Sequence, residues 1–318
     1  MGRRSPAACG TAVVALGVLL ALAACSGGGP SAKKSGRPQI AVILKALDSE
    51  FWLAVRRGAE AGAEGKADLG VLAPDREINV DQQVSMIENQ ISRGVDAIIL
   101  APAGANQVIP PLEKAAERGI PVIIVDTDCN FPKKIAYVGT NNYEGGKLAG
   151  EFVVKNVPGN AEVGLIIGIP GEETHEKRKS GFKDALAKET RLQLVAEQPA
   201  NAERAMAMNV MENILTARPK LAAVFATSDQ MALGALEAIQ ARRAGRPPLL
   251  VSFDAGKEVL NLIKEGKVAA VVAQRPFQMG KLSIEAALKA IAKQPVEKVI
   301  DTGTELITKD NVASFKSE

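Results

Sequence analysis

Ala97 to Asp126 reads AIILAPAGANQVIPPLEKAAERGIPVIIVD, and this stretch decides the fold. Two short apolar runs, Ala97 to Ala101 and Val122 to Val125, flank a segment of helical length. Short β-branched runs alternating with amphipathic helical stretches give parallel sheets covered by helices on both faces. The alternation continues outward in both directions. Toward the N-terminus the strand candidates are Ile40 to Leu44 and Leu69 to Ala73; toward the C-terminus they are Ala136 to Val138, Val163 to Ile167, Leu192 to Ala196, Ala222 to Ala226, Leu249 to Ser252 and Ala269 to Ala273. Val80 to Ile91 shows helical spacing, with Val80, Val84, Ile87 and Ile91 on one stripe.

So many strands overfill one small sheet, and right-handed βαβ crossovers make two doubly wound α/β lobes the natural arrangement. A closed (β/α)₈ barrel is the competing architecture. Ile135 to Asn142 and Ala273 to Pro276 read as passages between lobes, which argues against closure. The 318 residues are also long enough for two domains.

Composition narrows the function classes. Hydrophobic residues are 47% and charged residues 24%, an ordinary globular balance. The net charge of +3 comes from Arg3, Arg4, Lys33, Lys34 and Arg37, all near the N-terminus, so the remainder is slightly acidic and offers no basic stripe to nucleic acid. Of Cys9, Cys25 and Cys129, only Cys129 lies in the body, so no disulfide framework exists there. Asp126 and Asp128 beside it would raise its thiol pKa, and Cys129 reads as a spectator.

The leader sets the compartment. Arg3 and Arg4 precede an apolar core from Thr11 to Leu22 that is short for a membrane span, followed by Leu22-Ala23-Ala24-Cys25. That tetrapeptide resembles the bacterial lipobox, which implies residues 1–24 as a signal peptide and Cys25 as the lipidated first residue. Ser26 to Pro38 is rich in Gly, Ser, Pro and basic residues and reads as a tether.

In open α/β sheets ligands lie beyond the carboxyl ends of the strands. The residues following the apolar runs here are Lys45, Asp126, Thr140, Asn141, Ser228, Asp229, Asp254 and Gln274. Carboxylates accept hydrogen bonds from vicinal hydroxyls, while lysine, arginine and amides donate, so the mixture suits a neutral polyhydroxylated ligand. Phe51 and Trp52 stand out in a chain with 3% aromatics, and aromatic faces pack against the C–H face of a sugar ring.

Other chemistries lack their parts. Gly164, Gly168 and Gly171 do not form a dinucleotide fingerprint and no Walker-type loop occurs, so no cofactor is expected. The one histidine, His175, sits among Glu172, Glu173 and Glu176 and reads as a solvated helix start rather than a metal cluster. No Ser/His/Asp or Cys/His set is present, and nothing marks Asp126, Asp229 or Asp254 as a raised-pKa acid for glycoside cleavage. The chain is expected not to be an enzyme.

Taken together, Ala41 to Leu47 running into Phe51-Trp52, Pro121 to Asp126, Gly145 to Gly150, Arg178 to Phe182, Gln198 to Ala200, Val224 to Ala235, Phe253-Asp254 and Ala273-Gln274 resemble the ribose- and allose-binding type of periplasmic sugar-binding protein, also related to the ligand-binding part of LacI-type repressors. The resemblance covers Gln39 to Ile307. It implies two Rossmann-like lobes joined by a three-strand hinge: residues 39–140 plus 275–301, and 141–274 plus 302–318, after a lipidated linker at 25–38.

It further implies that Phe51 and Trp52 sandwich the sugar ring and that Asp126, Arg178, Asp254 and Gln274 bind its hydroxyls. Lys45, Ser49, Thr140, Asn141 and Ser228 complete the expected ligand-binding set, with no metal. Departures are Ser49-Glu50 for Asn-Pro, Thr127 for an arginine, Ser228 for an asparagine and Ala202 for an aromatic. They thin the wall and make room for a larger monosaccharide or a cyclitol. The implied partners are a sugar or polyol, an ABC permease, and the membrane through the lipid anchor alone. A sensor kinase or chemoreceptor is the alternative partner.

Overall fold

The computed structural model describes residues 36–242 and 246–315; Cys25 and the leader fall outside them. The first part of the chain alternates β1 (Gln39–Ile43), α1 (Glu50–Ala63), β2 (Asp68–Leu72), α2 (Val80–Arg93), β3 (Ala97–Leu100), α3 (Ile109–Glu117), β4 (Val122–Val125) and β5 (Ala136–Gly139). The second repeats the scheme with α4 (Asn142–Asn156), β6 (Ala161–Ile167), α5 (Glu173–Leu186), β7 (Leu192–Pro199), α6 (Arg204–Ala217), β8 (Ala223–Ala226), α7 (Asp229–Ala241), β9 (Leu249–Phe253), α8 (Lys257–Lys264) and β10 (Ala270–Ala273). α9 (Pro276–Ile291), β11 (Val299–Asp301) and β12 (Glu305–Thr308) follow.

These strands form two six-stranded sheets, ordered β11-β5-β4-β3-β1-β2 and β12-β10-β9-β8-β6-β7. Each therefore contains the doubly wound order 2-1-3-4-5, with a further strand at one edge. Every pairing is parallel except β10 with β12. The chain passes between sheets three times, at 139–142, 273–276 and 301–305. The strands that flank the third passage, β11 and β12, were not among the strand candidates. These strands are short and edge-lying, and Val299 is 63% exposed, so no apolar run announces them.

Side-chain alternation accounts for the layering. Ala97 and Ile99 face a core that includes Val55 and Ala59 of α1 and Met279 and Ile284 of α9, whereas Ile98 and Leu100 face Ile87 of α2 and Leu112 of α3. In the second sheet Leu165 packs with Val153 and Phe182, while Ile166 packs with Met211 and Met231. Burial of both faces explains why the strands read as continuous apolar runs.

Glycines let certain helices approach closely. A Cβ on Gly58 of α1 would stand 1.9 Å from the Phe277 carbonyl oxygen, and one on Gly280 of α9 would stand 2.0 Å from that of Val55. Gly58→Ala or Gly280→Ala should therefore destabilise the protein by about 1–3 kcal/mol in urea denaturation. Gly70→Ala, where a Cβ meets nothing within 4 Å, should change it by less than about 0.5 kcal/mol.

Candidate functional site

The carboxyl ends of corresponding strands in the two sheets carry matching residues. Asp126 follows β4 and Asp254 follows β9, and both hold left-handed backbone, at φ 63° and 70°. The backbone N–H of Asp126 donates to Val138 of β5 at 2.9 Å, and that of Asp254 to Val272 of β10 at 2.9 Å. The chain thus turns sharply off each strand while the neighbouring strand holds the aspartate. Left-handed backbone is costly for most residues and less so for aspartate, and such conformations concentrate at functional positions.

Both aspartates line one cavity of about 680 Å³, counting its open mouth, between the loops of the two sheets. Nine of the eleven expected ligand-binding residues meet there: Lys45, Ser49, Phe51, Trp52, Asp126, Arg178, Ser228, Asp254 and Gln274. Thr140 and Asn141 do not. Thr140 is buried with its hydroxyl 3.4 Å from that of Thr302, tying two of the three passages together. Asn141 is exposed at the N-cap of α4, where its side chain accepts from the Glu144 N–H at 3.3 Å. The adjacent Asn142 turns inward instead, and its Oδ1 accepts from Arg178 Nε at 2.9 Å.

Arg178 is fixed from several sides. Its Nη1 donates to the Thr227 carbonyl at 2.8 Å and lies 3.7 Å from Asp254 Oδ2, while its guanidinium carbon stands 3.7 Å above the Phe253 ring. Gln274 Nε2 donates to Asp254 Oδ1 at 2.6 Å. The aromatic pair departs from a parallel sandwich: Phe51 and Trp52 meet edge to face at 84°, and Trp52 is buried, with its indole N–H donating to Glu77 at 2.6 Å. Phe51 is half-buried and lines the cavity with Trp52.

Charge in the cavity is organised around a buried pair: the Lys45 ammonium, which lines the cavity, lies 2.9 Å from Glu172 across the cleft. Burial alone would raise the Glu172 carboxyl, yet Lys45 and His175 outweigh it and hold it at about 2. Burial opposes the Lys45 charge too, but Glu172, Glu77 and Asp126 keep its pKa above the usual value.

His175 is buried rather than solvated: its Nδ1 lies 2.9 Å from the Thr227 hydroxyl, and desolvation lowers its pKa to about 4. Desolvation raises Asp126 to about 6 despite Lys45 and Arg178. It also raises Asp229, which feels Asp254 as a like charge, and Asp254 itself. Cys129 is a buried thiol pushed up to about 11 by burial and Asp128.

Further bonds join the two sides of the cleft. Thr174 donates its hydroxyl to that of Thr127 at 2.9 Å, the Asp128 N–H donates to Glu173 at 3.0 Å, and Arg76 pairs with Glu203. Three buried oxygens in the cavity walls accept no hydrogen bond among the described residues: Ser228 Oγ, Gln274 Oε1 and Glu172 Oε2, the last of which stands 3.4 Å from His175 Nε2. Buried polar groups are normally paired, so three orphans in one cavity define a surface prepared for a polar guest. Glu77, Glu172, Thr174, His175 and Asp229 line it although they were not among the expected ligand residues.

Comparison with known proteins gives a consistent family. Residues 40–295 match the periplasmic binding protein domain. The ribose import binding protein of Bacillus subtilis is 34% identical over 269 residues, covering 85% of this chain and 87% of that one. A solute-binding protein of an Actinobacillus succinogenes ABC transporter, solved with bound D-allose, superposes with a TM-score of 0.83 at 33% identity, covering 88% of this chain and all of that one. Another, from Bacillus halodurans with bound myo-inositol, gives 0.82 at 29% identity, covering 89% and 98%.

The raised Asp126 pKa has a consequence for stability. A carboxyl whose folded pKa exceeds its unfolded value binds protons more readily in the native state, so its contribution falls as pH rises from about 4 through about 6. Asp126→Asn removes that dependence. In urea denaturation at pH 7.5 the variant should exceed the wild type by about 2–3 kcal/mol, the stability lost on ionising a buried carboxyl that titrates at about 6. The gap should close by pH 4; a gap independent of pH would refute the burial of an uncompensated charge.

Proposed function

The chain belongs to the periplasmic binding protein family, and from that premise we propose that it is the solute-binding component of an ABC-type sugar importer, holding a monosaccharide or related polyol between two closing lobes. Residues 39–140 with 275–301 form the first lobe, and 141–274 with 302–318 the second. The observation that carries this reading is the set of buried oxygens on Glu172, Ser228 and Gln274 that accept no hydrogen bond among the described residues, in the cavity that also receives Asp126 and Asp254 from opposite sheets. Ring hydroxyls both donate and accept, so they can reach all of these groups at once, and each charge-assisted bond contributes about 1.5–3 kcal/mol.

In this reading the three passages act as a hinge and the bonds across the cleft hold the closed form. Phe51 covers the apolar face of the ring while Asp126, Arg178, Asp254, Gln274, Ser228 and Ser49 meet its polar edge. Trp52, Lys45 and Asn142 position those groups. With Ala202 on the cavity wall instead of an aromatic ring, the site accommodates a hexose or a cyclitol. The closed surface is what the permease recognises, because ligand shifts the population toward it. The protein is exported to the periplasmic side and held to the envelope by lipid on Cys25.

Two experiments test the proposal. In a thermal-shift screen of residues 39–318 against aldoses, ketoses, polyols and cyclitols, a true solute at 100 times its Kd adds about 2.7 kcal/mol. It should also be recovered unchanged after long incubation; no stabilisation by any member would overturn the assignment. For the anchor, the full chain expressed in a bacterial host should fractionate with membranes and Cys25→Ser should not. An equal distribution of the two would remove the lipid anchor.

A further inference from the structure

The cavity is unbalanced in charge. Asp126, Glu172, Asp229 and Asp254 are all at least nine-tenths buried in its walls, against two buried cations, Lys45 and Arg178. Lys45 is committed to Glu172 at 2.9 Å. Arg178 is the only cation paired with Asp254 among the described residues, at 3.7 Å, and it spends Nε on Asn142 and Nη1 on the Thr227 carbonyl. Asp126 receives the Thr127 hydroxyl at 2.9 Å.

Asp229 is in a different position. It forms no ion pair among the described residues; its Oδ1 accepts from the Gln230 N–H at 2.7 Å, and the charged groups acting on it are Asp254 and Glu50, both negative. Gln230 lines the cavity beside it and Gly256 packs against its other oxygen.

The hydrogen-bonding inventory leans the same way. Gln274 spends its amide N–H on Asp254, which leaves Oε1 as a buried acceptor without a donor among the described residues, while Glu172 Oε2 has only His175 Nε2 at 3.4 Å. A guest made only of hydroxyl groups would supply donors but no positive charge, and would leave protons to neutralise the buried carboxyls. No group of three or more acidic, histidine or cysteine residues among the described residues has the arrangement to hold a metal ion.

We propose that the guest is a polyhydroxylated ring bearing one protonated amine, an amino sugar or an aminocyclitol, whose ammonium is held by Asp229 and Asp254 with Gln274 Oε1 and Ser228 Oγ in reach. An ammonium brings three donors and the missing positive charge in one group. This rests on the reading of the cavity as the solute site. Without the amine the walls balance their charge by keeping protons on the carboxyls, and burial raises Asp126, Asp229 and Asp254 in that direction. Arrival of the ammonium expels those protons.

The test is calorimetric titration at pH 6.5 with D-glucosamine, D-galactosamine and scyllo-inosamine, each against its hydroxyl parent and its N-acetyl form. At least one amine should bind tenfold or more tighter than its parent. N-acetylation should cancel the gain, and titration in two buffers of different ionisation enthalpy should show proton release for the amine alone. Asp229→Asn should bring the amine-to-parent affinity ratio close to one. Should that variant fail to fold, the N-acetyl comparison and the proton count on the unaltered protein decide the matter. Parents binding as tightly as the amines, or no proton release, would overturn the amine while leaving the sugar site standing. If neither these compounds nor any in the wider sugar and polyol screen bound, the solute-binding reading would fail with it.

Discussion

The site depends on one backbone constraint: an aspartate in left-handed conformation at the end of the fourth strand of each sheet, held by a hydrogen bond from its own N–H into the fifth strand. Asp126 and Asp254 meet this constraint in the same way. The turn frees each carboxylate from its strand, and the sheet order places both at carboxyl ends that face a common cleft. Elsewhere the cavity is built around these two anchors. Arg178 and Gln274 are oriented by Asp254, and the Thr127 hydroxyl by Asp126.

Lys45 and Glu172 make a second kind of connection. A buried ion pair gains little net stability, since removing both charges from water offsets their attraction, but breaking it leaves an uncompensated charge that costs about 3–5 kcal/mol. Its role here is geometric: it specifies how the loop after β1 meets the start of α5. The Thr127–Thr174 bond also crosses the cleft, and His175 is buried beside Glu172, so the contacts named here between the two sides are polar rather than apolar. The walls remain rich in carboxyls, and that surplus determines the chemistry of what fits between them.

Much of this was legible in the sequence. The central strands between Ile40 and Ala273 were readable because they bury both faces, and the rule that ligands sit beyond strand ends located Lys45, Asp126, Ser228, Asp254 and Gln274. Four things were not. β11 and β12 are short edge strands whose few apolar residues, with Val299 exposed and Ile307 buried, make no apolar run. Asn141 and Asn142 differ only in which way the first turn of α4 points them, which spacing does not reveal. Glu172 and His175 looked like the solvated start of a helix, where acids are common; only the approach of Lys45 from the other lobe buries them. The pairing of Trp52 with Glu77 likewise joins two loops whose proximity is a product of the fold.

The claim that one guest is gripped by both lobes is tested most directly through Trp52, the single tryptophan of the chain, which lies in the cavity wall. Its fluorescence should report titration with a solute identified for the protein, in the unaltered chain and in Asp126→Asn and Asp254→Asn. Loss of one charged hydrogen bond from either lobe should weaken binding by about 10- to 150-fold in each variant. Unchanged affinity in either one would mean that its lobe does not hold the guest, and the two-sided site would be wrong.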